Sequence, residues 1–325
     1  MRTGLAFLVA GSVVALVATA ACASPAADTS VRARAAKQPR CFGAGARDPE
    51  HPCRNPRLRF SVKPKPRDAL LTPNSRCAPI PAATGPQVCA FGLPATRATV
   101  AFALVGDSHA VHWRAALEVV ARAKGWRGVS LDQTQCLFSR ATTALRAPLA
   151  ADCARWNGEV QRWLEVHPEV HTLFMSQHRG ARVVVPPGGT QLETTINGYI
   201  AAWNALPASV KRVVVIRDEP YDTQRTPACV ERALARRRTP PGVACARSRR
   251  VALGPDPAVL AARRLASPRV RVIDMTRFMC DRRRCYPVVG GVLVHKDVGH
   301  LTRLFSTTLG PYVLRALNRL MASGR

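Results

Sequence analysis

A serine lies where a predicted strand ends and a predicted helix begins. Residues 100–105 are all apolar and predict a short buried strand, and residues 109–124 carry apolar side chains at helical spacing. Ser108 lies between them, in the sequence Gly106-Asp107-Ser108. The unpaired N–H groups of a helix's first turn face a ligand at this position, so the hydroxyl is well placed for nucleophilic attack. Asp and Ser are also common N-cap residues, and the motif alone fits a simple helix cap as well.

A second pair of reactive residues, Asp297 and His300, lies near the C-terminus. The pair follows the apolar run 292–294 and precedes a predicted terminal helix. A histidine here can take the proton of a serine hydroxyl, and an aspartate can orient the imidazole and stabilise its charged form. The alternative is that Asp297 caps the last helix while His300 packs in its first turn. The two interpretations are compatible with each other.

Strands and helices alternate between these two motifs. This alternation predicts an α/β fold with a parallel sheet covered by helices on both faces. Ligands of such sheets bind beyond the carboxyl ends of the strands, so Ser108 and the later pair are expected at one edge. The predicted strands are 100–105, 128–131, 170–175, 211–216 and 270–273, and the predicted helices are 109–124, 153–166, 190–205, 256–266 and 300–321.

The motifs at both ends of this region match one family pattern. The first is Gly106-Asp107-Ser108-His109-Ala110 with Trp113, and the second is Cys280…Cys285-Tyr286-Pro287 with Asp297…His300-Leu301-Thr302. The chain thereby resembles the SGNH (GDSL-type) hydrolases. It is most similar to the extracytoplasmic SGNH domain fused to integral-membrane acyltransferases that O-acetylate bacterial polysaccharides. The resemblance implies a flavodoxin-like three-layer sandwich with a central parallel sheet. In it, Ser108 is the nucleophile, Asp297 orients the imidazole, and His300 is the general base and then the general acid.

The oxyanion hole is where this chain departs from the family pattern. The family has a glycine after the second strand and, in many members, an asparagine after the third. Residues 132–136 hold no glycine here, and residues 176–179 hold no asparagine. Geometry rather than residue type decides whether an N–H group can stabilise an oxyanion. The candidate donors are therefore the backbone N–H groups of Ser108, Thr134 and Gln135 and the side chains of Gln177, His178 and Arg179.

Three other histidines lie close to the motifs. His109 and His112 fall in the first turns of the helix after Ser108, where a ring is hard to aim back at the serine. Both are expected to serve in packing. His295 is expected to end the strand before Asp297 rather than to join the site.

The cysteines indicate an oxidising compartment. Of the eleven, Cys22 lies in the leader, and the other ten form neighbouring pairs. An even number of cysteines in an exported chain favours disulfides, and no Cys-x-x-Cys pair or zinc-finger spacing supports a metal site. No metal and no cofactor are expected. The favoured pairs are Cys41–Cys53, Cys77–Cys89, Cys136–Cys153, Cys229–Cys245 and Cys280–Cys285.

The N-terminal third divides into a leader and an extension. Residues 1–24 are predicted to be a signal peptide, with a basic start, a short apolar run and small residues at its end. Cleavage after Ala23 gives a secreted protein, whereas cleavage before Cys22 gives a lipid anchor on the outer face of the cytoplasmic membrane. Residues 25–97 are predicted to be a Pro/Arg-rich spacer and an irregular, disulfide-stapled extension. Residues 98–325 are predicted to form the α/β domain.

Three segments interrupt the regular order of this domain, the last of them a tight loop. They are 133–152, 217–254 and 280–286, and each carries cysteines. Long loops at the carboxyl edge of a sheet commonly shape substrate access. For 217–254, a purely decorative surface loop is an equal alternative.

The net charge of +28 is large, and nearly all of the 48 basic residues are arginine. This charge attracts anionic polymers and membrane surfaces. Nucleic acid is not expected as a partner, because the arginines are scattered and the chain is exported and disulfide-bonded.

These observations predict a serine-dependent O-acyltransferase or O-acetylesterase acting on an envelope polysaccharide or another O-acylated glycan. The resemblance implies a separate integral-membrane acyltransferase as acyl donor if the enzyme is a transferase. The alternative is a catalytically inactive SGNH-fold module that binds envelope glycan, since fold alone does not establish activity.

Overall fold

The computed structural model of the protein describes residues 38–51, 53–81 and 84–322. The predicted signal peptide, the alternative lipid anchor at Cys22 and the first part of the spacer lie outside these residues. In the part of the chain that is described, no helix has the length and apolar character needed to span a bilayer.

Seven strands form the central sheet. The strands of the described residues are β1 (Ala78–Ile80), β2 (Val88–Gly92), β3 (Val100–Gly106), β4 (Trp126–Asp132), β5 (Val170–Ser176), β6 (Arg212–Ile216), β7 (Arg247–Ser248), β8 (Val270–Ile273), β9 (Arg284–Cys285), β10 (Val288–Val289) and β11 (Val292–Leu293). The sheet order is β1-β2-β4-β3-β5-β6-β8. The run from β4 to β8 is parallel, whereas β1 and β2 are antiparallel to their neighbours. The remaining strands form two small two-stranded sheets.

Helices cover both faces of this sheet. The described α-helices are α1 (Pro66–Ala69), α2 (Ser108–Lys124), α3 (Ala147–Glu165), α4 (Gln191–Asn204), α5 (Thr226–Arg236), α6 (Pro241–Ala244), α7 (Arg249–Ala252), α8 (Pro257–Leu265) and α9 (Arg303–Ala322). Alternate side chains of β3 enter opposite cores, as the pleat of a strand requires. Phe102 and Leu104 pack with α2 and α9, while Ala103 and Val105 pack with α3, α4 and α8. The predicted three-layer α/β fold is confirmed.

Two helices begin three or more residues away from their predicted starts. α3 begins at residue 147 rather than 153, because Pro148 occupies its first turn, where a proline needs no N–H partner. α9 begins at residue 303 rather than 300, and the Oγ1 of Thr302 accepts a hydrogen bond from Phe305 N, 3.1 Å away. Thr302 therefore caps this helix, and Asp297 and His300 lie in the loop before it.

The N-terminal extension is more regular than predicted at one place. The strands β1 and β2 fall within it, and β2 pairs with β4, so the extension continues the central sheet at its edge. Strands as short as β1 and β2 are too short to show an alternating pattern in the sequence. The sequence therefore predicts this region as irregular. The described residues all belong to one compact unit, Gln38–Arg325. Its disulfides are Cys41–Cys53, Cys77–Cys89, Cys136–Cys153, Cys229–Cys245 and Cys280–Cys285.

The segment 217–254 is not a plain surface loop. It contains α5, α6, α7 and β7, and its first residues are buried: Asp218 and Glu219 are both 0% exposed. The Cys229–Cys245 disulfide joins α5 to the residue after α6. This segment therefore packs against the domain, and its buried start reaches the carboxyl edge of the sheet directly after β6.

Candidate active site

Ser108 is held at the carboxyl end of β3 by a very close approach of two strands. At Gly106 the backbone has a φ of +151°, and a Cβ placed there would lie 2.1 Å from the carbonyl oxygen of Ser176 on β5. Only glycine fits this position. The next residue, Asp107, caps α2: its carboxylate accepts hydrogen bonds from the N–H groups of His109 (2.8 Å) and His178 (2.9 Å). Ser108 thus begins the helix at the edge where the strands end.

The side chains of Ser108, His300 and Asp297 form a hydrogen-bonded chain. Nε2 of His300 lies 2.8 Å from Oγ of Ser108, and Nδ1 of His300 lies 2.8 Å from Oδ2 of Asp297. Oδ1 of Asp297 also accepts from the backbone N–H groups of Gly299 (3.0 Å) and His300 (2.8 Å). Partial burial raises the pKa of Asp297, but the hydrogen bonds from His300 and the backbone outweigh it and hold that pKa well below its usual range. The carboxylate is therefore charged at neutral pH.

A short hairpin carries Asp297 and His300. His295 and Leu301 form an antiparallel bridge, and the N–H of Lys296 donates to the carbonyl of His300 (2.8 Å). The N–H of Thr302 donates to Val294 O (2.8 Å), which closes the base of the hairpin. This arrangement fixes the loop from both sides and points the imidazole at the serine.

The backbone donors predicted for the oxyanion hole lie in a turn beside Ser108. In the sheet, Gly106 is paired with Asp132, and the N–H of Gln133 donates to Gly106 O (3.0 Å). The N–H of Cys136 then closes the turn on Gln133 O (3.1 Å). Within the described residues, the N–H groups of Thr134 and Gln135 donate no hydrogen bond. This turn therefore begins opposite Gly106, two residues before Ser108 in the chain, and holds two N–H groups without a partner among the described residues.

The side chains after β5 have other partners. Gln177 is buried, and its amide binds the backbone of Phe138, with Oε1 accepting from Phe138 N at 3.2 Å. Arg179 lies over the Tyr221 ring, 3.5 Å from its centroid, and donates to Ala252 O (2.8 Å). The structure thus brings neither side chain to Ser108. The His178 ring packs between those of His109 (4.8 Å) and Tyr221 (5.4 Å), measured between ring centroids.

A buried cluster of charged groups, not predicted from the sequence, lies behind the serine. His109 places its Nδ1 2.7 Å from Oδ1 of Asp218 and 3.2 Å from Oε1 of Glu219. His112 places its Nε2 3.1 Å from Oε2 of Glu219. All four residues are almost inaccessible to solvent. His109 and His112 are buried as expected, yet in an ionic cluster rather than in apolar packing.

The cluster has a defined charge distribution. Burial lowers the pKa of His109, but the charges of Asp218 and Glu219 and the hydrogen bonds to them raise it well above its usual range. Burial lowers the pKa of His112 despite the neighbouring Glu219. His109 is therefore the cation of the cluster and His112 is neutral. The sequence carries one cue to this cluster, because Asp218 and Glu219 lie just past the end of the predicted strand 211–216, but it does not predict their partners.

One further pair lies beneath the hairpin. Nδ1 of His295 is 3.0 Å from Oδ2 of Asp222, and both groups are buried. Burial lowers the pKa of His295, but the charge of Asp222 and the hydrogen bond to it raise it overall. His295 lies two residues beyond the end of β11, in the base of the hairpin, and binds a carboxylate rather than ending the strand.

Among the described residues, His109, His112 and Glu219 form the one group whose ligand atoms lie close enough to hold a metal ion, within 4.8 Å of one another. These atoms already face one another at 3.1 to 3.2 Å. Nδ1 of His109 also binds Asp218 at 2.7 Å. The charged imidazole of His109 thus offsets one of the two carboxylate charges of the cluster, and Nε2 of His112 and both carboxylate oxygens of Glu219 have no hydrogen-bond partner among the described residues.

The sequence model of one protein family, the SGNH domain fused to AT3 domains, matches residues 74–315. The chain belongs to this family. The match confirms the resemblance noted at the two motifs and identifies the chain as an SGNH-type acyltransferase or esterase. It begins inside the N-terminal extension, shortly before β1.

A solved structure shares the fold. The periplasmic domain of a lipopolysaccharide acetyltransferase from Salmonella ser. Paratyphi A matches with a TM-score of 0.50 and 13% sequence identity. The match covers 70% of this chain and 90% of that chain. No curated protein matches the sequence.

Proposed function

We propose that this SGNH domain is an exported enzyme that transfers or removes O-acyl groups of a cell-envelope glycan, with Ser108 carrying the acyl group. The observation that supports this most directly is the hydrogen-bonded chain Ser108–His300–Asp297, in which both contacts of the imidazole measure 2.8 Å. A helix cap alone does not account for it, because Thr302 caps α9 and the Asp297 carboxylate binds His300. Nucleophile, base and orienting group are thus within reach of one another.

In the first half of the reaction, Oγ of Ser108 attacks the carbonyl carbon of the acyl donor. Its proton passes to Nε2 of His300, and the imidazolium is stabilised by Asp297. The tetrahedral intermediate collapses, the bond to the donor oxygen breaks, and His300 returns the proton to that oxygen. The products are an acyl ester on Ser108 and a free donor hydroxyl.

In the second half, His300 takes a proton from water or from a sugar hydroxyl. The resulting oxygen attacks the acyl carbon, the bond to Oγ breaks, and Ser108 regains its proton from His300. Water gives an esterase, and a sugar gives a transferase. The accessible fractions of His300 (29%) and Asp297 (35%) leave the site open enough for a polymer to approach.

The developing oxyanion needs N–H donors, and each lost donor typically costs about 10²–10³-fold in rate. We assign this role to the backbone N–H of Ser108 together with Thr134 or Gln135. All three are backbone groups, so the missing glycine and asparagine of the family pattern do not remove them. His178, whose ring packs beside His109, is the remaining side-chain candidate.

The setting of the reaction follows from the disulfides, the charge and the family. Disulfides persist outside the reducing cytoplasm, which supports export. Fusion to AT3 domains in the family supports a membrane acyltransferase as the acyl donor. The net charge of +28 favours an anionic glycan or a membrane surface.

The deciding experiment is detection of the acyl-enzyme. The mature, oxidised protein is incubated with p-nitrophenyl acetate, quenched early and analysed by intact mass and peptide mapping. We expect one acetyl group on Ser108. Ser108→Ala should lack it. Ser209→Ala is the matched control and should keep it, because the Ser209 hydroxyl has no hydrogen-bond partner in the described residues.

The lifetime of the adduct then separates the two reactions. A faster decay with added sugar, and an acetylated sugar product, indicate a transferase, whereas decay in water alone indicates an esterase. Folded protein that forms no adduct and releases no nitrophenol would contradict the proposal and favour the glycan-binding module.

A further inference from the structure

The hairpin that carries the proposed base rests on the buried segment after β6. The N–H of Asp222 donates to Val298 O (2.8 Å), and the Asp222 carboxylate binds His295. A Cβ placed on Gly299 would lie 3.3 Å from Cε1 of His109 and 3.5 Å from Cε1 of Tyr221. The hairpin backbone therefore packs directly on these two rings, without an intervening side chain.

His109 also packs against the imidazole of His300. The two ring centroids are 4.8 Å apart, with an angle of 51° between the ring planes. Because His109 is 3% exposed and follows Ser108 in α2, its ring is fixed on the same element as the nucleophile. Any rotation of His300 away from Ser108 on this side meets the His109 ring.

Asp218 holds the His109 ring in place. Its Oδ1 accepts from Nδ1 of His109 (2.7 Å), and its Oδ2 accepts from the Tyr221 hydroxyl (2.5 Å) and from Arg179 N (2.9 Å). The N–H of Asp218 donates to Oδ2 of Asp256 (2.8 Å). A carboxylate with three such contacts has little freedom, and the ring that it binds cannot flip without breaking a buried hydrogen bond.

We propose that His109 is a positioning residue for His300, and that Asp218 keeps it in position. This inference rests on the proposed function, since it concerns the base of that same reaction. His109 does not exchange a proton with substrate in this scheme. It limits the positions that the His300 imidazole samples and so keeps Nε2 directed at Oγ of Ser108. Misplacing a reacting group by about 1 Å typically costs on the order of 100-fold in rate.

The test measures how fast Ser108 reacts with a fluorophosphonate, which needs a correctly placed base but no identified glycan. His109→Gln and Asp218→Asn should slow labelling about 10–100-fold. They should also lower kcat for p-nitrophenyl acetate while leaving KM within about twofold. Tyr221→Phe removes one hydrogen bond to Asp218 and should give a smaller loss in the same direction. If Asp218→Asn does not fold, the labelling rate of Tyr221→Phe still tests the role of Asp218.

The matched control is Asp48→Asn in the N-terminal extension, another buried aspartate (6% exposed), which pairs with Arg315 of α9. It should lower the melting temperature and leave the labelling rate unchanged. If His109→Gln and Tyr221→Phe lose stability but are labelled at the wild-type rate, the positioning role is wrong. The proposed function is then unaffected. A wild-type protein that is not labelled at Ser108 would instead contradict the proposed function. Stoichiometric metal in the purified protein would also overturn the positioning role, because the imidazoles would then be ligands.

Discussion

Oγ of Ser108 and Nε2 of His300 lie 2.8 Å apart although 192 residues separate them in the chain. The helices that adjoin them, α2 and α9, are joined by hydrogen bonds through Ser306. Its Oγ donates to His112 O (2.6 Å) and accepts from Ala116 N (3.2 Å). At Gly310 the helices approach so closely that a Cβ would lie 2.5 Å from Cβ of Val119. The site is therefore assembled by helix packing before any substrate binds.

Replacing Asp297 by Asn should remove most of the activity with little change in fold. The amide cannot stabilise the imidazolium and favours the wrong tautomer of His300, so we expect kcat to fall by about 10³–10⁴-fold. Steady-state hydrolysis of p-nitrophenyl acetate measures this fall. The control is Asp152→Asn, an exposed residue paired with Arg155, which should keep wild-type kcat. A loss of less than tenfold in Asp297→Asn would mean that another group orients His300.

The pair of His295 and Asp222 should make stability depend on pH. The pKa of His295 is raised in the folded protein, so its contribution is fully present below the unfolded value of about 6.5. It is lost as pH rises through the folded pKa. We therefore expect wild type to exceed His295→Gln in free energy of unfolding at pH 5.5, with a gap that narrows toward pH 9. Urea denaturation across this range measures the gap.

His171→Gln serves as the control for that series. His171 is exposed, and its Nδ1 binds the carbonyl of Ser209 (3.0 Å) rather than a carboxylate. If the difference in free energy of unfolding between wild type and His295→Gln stays constant with pH, the pair of His295 and Asp222 does not gain a proton on folding.

Gly106→Ala should destabilise the protein more than another substitution at a positive φ. The added Cβ would strike the carbonyl oxygen of Ser176, so we expect a loss above about 3 kcal/mol. Gly188→Ala is the matched case, with a φ of +75° and no heavy atom within 4 Å of the added Cβ. It carries only the backbone strain, about 1–2 kcal/mol. Equal losses in chemical denaturation would refute the steric explanation.

Removing the disulfide between Cys136 and Cys153 should affect both stability and rate. For its separation of 17 residues, the chain-entropy model gives about 3 kcal/mol. Cys136 also closes the turn that holds the N–H groups of Thr134 and Gln135, so we expect kcat to fall as well. The double Ser variant of Cys229 and Cys245, with a separation of 16, should lose similar stability without the loss in kcat. Equal kcat values for the two double variants would show that this turn does not contribute to catalysis.

The sequence predicts the central fold and the three site residues because their signals are local. Residues 100–105 and 109–124 show their periodicity directly, and the motifs at Ser108 and His300 are contiguous. The contacts of Asp218 and Glu219 were not predictable in the same way. Their segment is rich in arginine and reads as a surface loop, and only tertiary packing brings it under α2. β1 and β2 were missed because three to five residues show too little alternation to be distinguished from coil.

The order of the site residues along the chain also bears on when the enzyme becomes active. Ser108 begins the helix that follows β3, the first of the parallel strands in chain order, whereas the hairpin with His300 immediately precedes the last helix. During translation, or during passage through a membrane pore from the N-terminus, the nucleophile emerges long before its base. Under the proposed mechanism, acyl transfer on Ser108 therefore cannot start on a nascent or half-translocated chain. We expect activity to begin only when the C-terminal helix has docked.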